Sequence, residues 1–199
     1  MLSGRINHKI KPIVTRIFIG IKCTEQEYLP VIQTKLKSIL TRSQVNWVDP
    51  ALFHITLKFL GEVEDTFIDS IVSTLHSISA RFSPITLVPE RVGTFGPKDR
   101  PRVLWFGYKP QADILELHKS IDEALADLGF MTEPKKFTPH LTVGRIKHIV
   151  EKDELNRYIQ NQKTPVGKDL LVLSFQLYKS FLKQNGPEYH VLESFPLKM

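Results

Sequence analysis

Cysteine is nearly absent from this chain: Cys23 is the only one in 199 residues. That excludes an internal disulfide and a cysteine-built zinc cluster, and it fits a reducing compartment. Long apolar runs are missing too. None approaches the ~20 residues of a membrane span, and the first fourteen residues, with Arg5, Lys9 and Lys11, lack the continuous apolar stretch of a secretory signal. A cytoplasmic location with no membrane partner is the expectation. There is no Gly-x-Ser-x-Gly elbow, no Gly-rich loop ending in Gly-Lys-Ser/Thr, no Gly-x-Gly-x-x-Gly and no His-Glu-x-x-His. The familiar signatures of serine-hydrolase, nucleotide-phosphate, dinucleotide and zinc-protease chemistry are therefore set aside.

What is present suffices for one globular domain or two small lobes, with 42% hydrophobic and 24% charged residues. The formal net charge of +6 has the sign that draws in phosphates. Lys98, Arg100, Arg102, Arg145 and Lys147 flank the segments that matter below, although any one of them taken singly reads more readily as part of a solvated surface.

Two copies of one short pattern dominate: His54-Ile55-Thr56-Leu57 and His140-Leu141-Thr142-Val143. Both lie in runs that read as β-strands, where side chains alternate faces, so each imidazole and its hydroxyl project to one side about 7 Å apart. In Phe53–Leu60 the odd positions are apolar, which seats one face on a core and presents His54, Thr56 and Lys58 on the other. A single such copy is more often a structural histidine. The repeat changes that, because Arg16-Ile17-Phe18-Ile19-Gly20 and Arg102-Val103-Leu104-Trp105-Phe106 each begin 38 positions before their histidine. The chain reads as duplicated, each half an Arg-led strand, an amphipathic helix and a motif strand. Packed about a pseudo-twofold axis, the halves would bring His54 and His140 to opposite sides of one groove.

Around this repeat the pattern predicts strands at 15–22, 45–48, 85–92, 102–109, 168–181 and 187–197. Helices are predicted over 25–43, 64–80, 111–128 and 151–161, with Gly129 as a stop. Residues 93–101 have the Gly/Pro density of an exposed loop, and Lys183-Gln184-Asn185-Gly186 signals a hairpin. The fold class is α+β, with antiparallel or mixed sheets in two similar lobes. Residues 1–14 read as an extension and 15–199 as a single bilobal domain, expected to act as a monomer.

Histidine gives or takes a proton near neutral pH. Two facing one substrate can serve as base and acid in an in-line displacement at phosphorus: one takes a proton from water and the other protonates the departing sugar oxygen. Threonine hydroxyls two residues along can donate to the non-bridging oxygens. No metal or cofactor is needed for this. A zinc site at His54 and His140 is the alternative, but neither motif has a carboxylate on its strand face to complete a ligand set. His8, His76, His118, His148 and His190 have no repeated context and read as surface or structural.

Trp47-Val48-Asp49-Pro50, the segment His54–Gly61, Pro101–Trp105 and Pro139–Arg145 together resemble the RNA 2′,3′-cyclic phosphodiesterases, or 2′-5′ RNA ligases, of the 2H phosphoesterase superfamily. The likeness runs from about Arg16 to the C-terminus. It implies a bilobal fold with its site in the groove between lobes, and metal-free hydrolysis of RNA 2′,3′-cyclic phosphate ends to 2′-phosphates. It also implies His54 as proton donor, His140 as proton acceptor, and Thr56 and Thr142 as phosphate-holding residues. Arg145 stands where the family has a cation, yet strict alternation puts it on the face opposite His140 unless a bulge at Gly144 turns it round. Phe18 is placed beside the nucleotide for base stacking. End joining through a 2′-5′ linkage at the same site, and a non-catalytic RNA-end or nucleotide-binding module, are the competing readings.

Overall fold

The computed structural model describes residues 13–162, 167–184 and 186–198. Most of the extension, residues 1–12, and Asn185 of the expected hairpin turn lie outside the described residues.

The elements run β1 (Val14–Lys22), α1 (Tyr28–Ile39), β2 (Gln44–Trp47), β3 (His54–Glu64), α2 (Ile68–Ser79), β4 (Ile85–Leu87), β5 (Pro89–Phe95) and β6 (Val103–Tyr108). They continue with α3 (Ala112–Ala126), β7 (His140–His148), α4 (Lys152–Gln160), β8 (Leu170–Val172), β9 (Ser174–Lys183) and β10 (Gly186–Pro196). In α3 the stripe Ile114, Leu117, Ile121 and Leu125 is wholly buried, as its three- and four-residue spacing requires. Gly129, at φ 90°, ends that segment as expected.

Eight strands form one sheet of order β10-β9-β1-β3-β7-β6-β5, with β2 added on β7, and every pairing is antiparallel. The strand expected over 85–92 is two strands. Pro89 starts β5 on β6, where its missing N–H does no harm, while β4 pairs with β8 in a separate two-stranded sheet. The run over 168–181 splits in the same way, into β8 and β9. Gly93–Phe95, expected as loop, extend β5.

The two motif strands, β3 and β7, meet at the middle of the sheet through a single paired position, Ile55 with Leu141. On one side stand β10, β9, β1 and β3; on the other β7, β6, β5 and β2. The lobes are not simply the two halves of the chain. Helix α3, from the second half, packs on β3 and α2, whereas α1, from the first, packs against α4 on the β5 side. Each motif strand is thus backed by the helix of the other half, and the C-terminal hairpin β9–β10 joins the first half through β1. Ile17, Ile19, Ile55, Leu57, Leu141 and Val143 line the sheet's helix-facing core, all 1% exposed or less.

Candidate active site

Antiparallel register around the Ile55–Leu141 rung sets His54 across from Thr142 and Thr56 across from His140. The four polar side chains therefore occupy one face of the sheet at the junction, and all four are partly exposed.

Both imidazoles are held alike. His54 Nδ1 lies 2.7 Å from the Leu52 carbonyl, and His140 Nδ1 lies 2.7 Å from the Thr138 carbonyl. A carbonyl can only accept, so each Nδ1 carries the proton and each neutral Nε2 is left as a free base. The Leu52 carbonyl is itself fixed by a short 3-10 turn, Pro50–Leu52, capped by the Asp49 carboxylate, which accepts from Ala51 N–H at 2.9 Å. Burial pushes the pKa of both histidines below the usual value, opposed by the carbonyl bond and reinforced by the Arg145 cation; His54 feels His140 as well. Each ring also leans on an aromatic, His54 on Phe18 with centroids 4.8 Å apart and His140 edge-on to Phe95 at 4.7 Å.

Arg145 reaches this face because β7 bulges. Trp105 pairs with Thr142 and Leu104 with Gly144, leaving Val143 as an extra residue that reverses the alternation. The bulge is held from below by Gln33 of α1, only 2% exposed, whose side-chain amide donates to the carbonyls of Val143 at 2.9 Å and Val48 at 2.6 Å.

The first motif strand bulges at the equivalent place, which corrects one expectation. Gly20 pairs with Thr56 and Ile19 with Lys58, so Leu57 is extra and Lys58 turns to the opposite face from His54 and Thr56. There Lys58 is 2% exposed, bonded to Asp122 of α3 and to the Met131 carbonyl at 2.8 Å. Phe59 takes the site face in its place.

Two further readings change. Phe18 does share the site face, but it is 3% exposed, packed between His54 and Tyr178, with Tyr189 edge-on at 5.0 Å. Neither ring face is open to a base, and its placement is that of a support beneath His54. The 38-residue repeat is also one position out of register. Lys22 pairs with His54 and Gly107 with His140, so the paired positions lie 32 and 33 residues upstream of their histidines. A slip of one exchanges faces: Arg16 faces the site in the first half, and Trp105, not Arg102, does so in the second.

Several site neighbours escape a reading of the sequence alone. Lys22, Thr24, Tyr178 and Tyr189 line a recess beside His54. Burial pushes the Tyr178 phenol up to about 12, so it stays a neutral donor, to Gln176 at 3.2 Å. On the other side Trp105 lies against the sheet where Gly93 and Gly107 leave room; a Cβ at either would sit within 3 Å of the indole. Glycines inside two neighbouring strands, Gly93 across from Trp105 and Gly107 two residues along from it, are the available signal for such a close approach. Among the described residues no group of three or more His, Cys, Asp or Glu side chains is placed to hold a metal ion, and no helix is long and apolar enough to cross a membrane.

Two similar lobes, each delivering one His-x-Thr strand to a common junction, define a class: the phosphoesterases built on an internal repeat. The chain belongs to the LigT-like phosphoesterase family, whose model matches it twice, over residues 20–105 and 108–189, once in each half. It is 34% identical over 182 residues to a Methanocaldococcus jannaschii protein named RNA 2′,3′-cyclic phosphodiesterase, covering 90% of this chain and 99% of that one. An Archaeoglobus fulgidus protein of the same name is 33% identical over 184 residues, with 90% and 99% covered. Among solved structures, a Thermus thermophilus protein superposes with a TM-score of 0.74 at 24% identity, over 92% of this chain and 97% of that one. Escherichia coli LigT complexed with 3′-AMP gives 0.71 at 20%, over 94% and 100%. These two report the fold.

Proposed function

We propose that this chain hydrolyses RNA 2′,3′-cyclic phosphate ends to 2′-phosphates, with His140 as general base, His54 as general acid and no metal. The observation that carries the chemistry is the matched pair of imidazoles, each with Nδ1 tied to a carbonyl and Nε2 available on the shared face. The substrate class comes from the names of the relatives.

In the reactive state His140 is neutral and His54 protonated. Water attacks phosphorus as His140 Nε2 takes its proton; the P–O3′ bond breaks on the far side, and His54 Nε2–H delivers a proton to O3′. The histidines end with protonation exchanged and are reset by solvent. Thr56 and Thr142 donate to the non-bridging oxygens, and Arg145 offsets charge that grows in the transition state. Which imidazole acts as acid rests on the family resemblance.

Incubation of the purified protein with a cyclic-phosphate-ended oligonucleotide in excess chelator is expected to yield the 2′-phosphate. His54→Ala and His140→Ala should each lose roughly 10²- to 10⁴-fold in rate. A 3′-phosphate product overturns the regiochemistry, and full turnover in both variants overturns the mechanism.

A further inference from the structure

The bulge at Leu57 leaves an exposed aromatic on the site face with no role in the chemistry above. Phe59 pairs with Phe18 across β1 and is 47% exposed, although its neighbours Leu57 and Lys58 are 1% and 2% exposed. Arg16 lies over it, its guanidinium carbon 4.6 Å from the ring centroid. Glu62 is the Cα partner of Arg16 on β3, yet the guanidinium turns onto the aromatic face instead. A cation stacked on an exposed ring presents a flat, positively charged surface, the kind on which bases stack and to which phosphates are drawn.

Its position fixes which part of a ligand can reach it. Thr56 pairs with Gly20 and Phe59 with Phe18, two steps of β1, or about 7 Å along the sheet. That is close to the spacing of successive nucleotides in an extended RNA strand. Lys135 and Lys136 are exposed in the segment leading to His140, which stands across from Thr56; Glu62 and Glu133 are exposed too, so the cation that marks the platform itself is Arg16, seated on its ring.

We infer that Arg16 and Phe59 form a subsite for the nucleotide adjoining the cyclic end, its base stacked on the platform and its linking phosphate facing Arg16. The protein then acts on oligonucleotides in preference to nucleoside 2′,3′-cyclic phosphates. This rests on the hydrolase reading for the placement of the scissile phosphate.

The test compares a dinucleotide ending in 2′,3′-cyclic phosphate with the matching nucleoside 2′,3′-cyclic phosphate, as substrates for the wild type, Phe59→Ala and Arg16→Ala. Calorimetric binding of the 2′-phosphate-ended dinucleotide and mononucleotide runs alongside. The wild type is expected to favour the dinucleotide by about 5- to 100-fold in kcat/KM and in Kd. Phe59→Ala should abolish most of that preference with mononucleotide turnover unchanged, and Arg16→Ala should do so while also flattening its salt dependence. Equal wild-type affinity for the two lengths, or a preference that survives both substitutions, overturns the subsite. Absence of turnover on either substrate refutes the hydrolase reading alone, because the two dissociation constants still decide whether the platform binds a second nucleotide.

Discussion

Ile55 pairs with Leu141 across the single rung that joins the two motif strands. Both side chains are fully buried, and both point away from the groove. A one-residue slip of either strand at this rung would exchange that strand's faces and send its His and Thr side chains into the core, away from the other pair, so the apolar middle residue of each motif sets the register that keeps the polar ones together.

The pH dependence of kcat/KM is expected to be bell-shaped and centred on the acid side of 6.5, since burial lowers both histidines and the profile reports the free enzyme. The two limbs belong to the pair and not to either ring. Arg145→Ala removes a cation that lowers both, so the profile should move to higher pH, with kcat/KM also down about 10- to 100-fold from loss of the phosphate contact proposed for the guanidinium. A profile that stays in place shows that the guanidinium is too distant to matter.

Gln33→Leu should disturb the same chemistry from beneath the sheet. Removing the amide leaves buried carbonyls short of a donor and costs about 1–3 kcal/mol of stability, readable as a lower urea midpoint. It also frees the bulge at Val143, so the pH profile should shift in the direction expected for Arg145→Ala. In the double variant the effects on kcat/KM should fall short of their product. Multiplying effects would mean that Gln33 does not act through Arg145, and a Gln33→Leu enzyme with unchanged kcat/KM and pH profile would mean that Gln33 serves stability alone.

Glu151 caps the junction between α1, β2 and α4. Its carboxylate accepts from the Ser43 hydroxyl and from the Arg42 backbone and guanidinium N–H groups, and these hold its pKa near 2, against an ordinary 4.5. A depressed carboxylate stabilises the fold above its unfolded pKa and ceases to do so as pH falls through the folded one. Glu151→Gln is therefore expected to unfold more readily than the wild type near neutrality. The gap should narrow from about pH 4.5 downward and close near pH 2, as followed by thermal melts across that range.

The order of elements and the two motifs are legible because apolar periodicity survives in the sequence: Ile114, Leu117, Ile121 and Leu125 can only be one helix face. The bulges are not. Apolar residues at 53, 55, 57 and 59 read as uninterrupted alternation, and nothing in that string announces that Leu57 is doubled, which moves Lys58 into the core and Phe59 out. Nor does periodicity say which helix lies behind which strand, so Gln33, 110 residues from the carbonyl it supports, has no local signal. Alternation gives the face of Phe18 and no more, because its burial under Tyr178 and Tyr189 depends on a hairpin far along the chain.

That hairpin also bears on how the molecule assembles. Strand β1 is sandwiched between β3 and β9, and Ile17 pairs with Lys179, a separation of 179 − 17 = 162 residues. Pairings this remote must close a large loop before they gain anything, which places folding on the slow side, toward milliseconds to seconds. Until that closure is complete, both imidazoles can be present on β3 and β7 while the aromatic wall beside His54 is still missing.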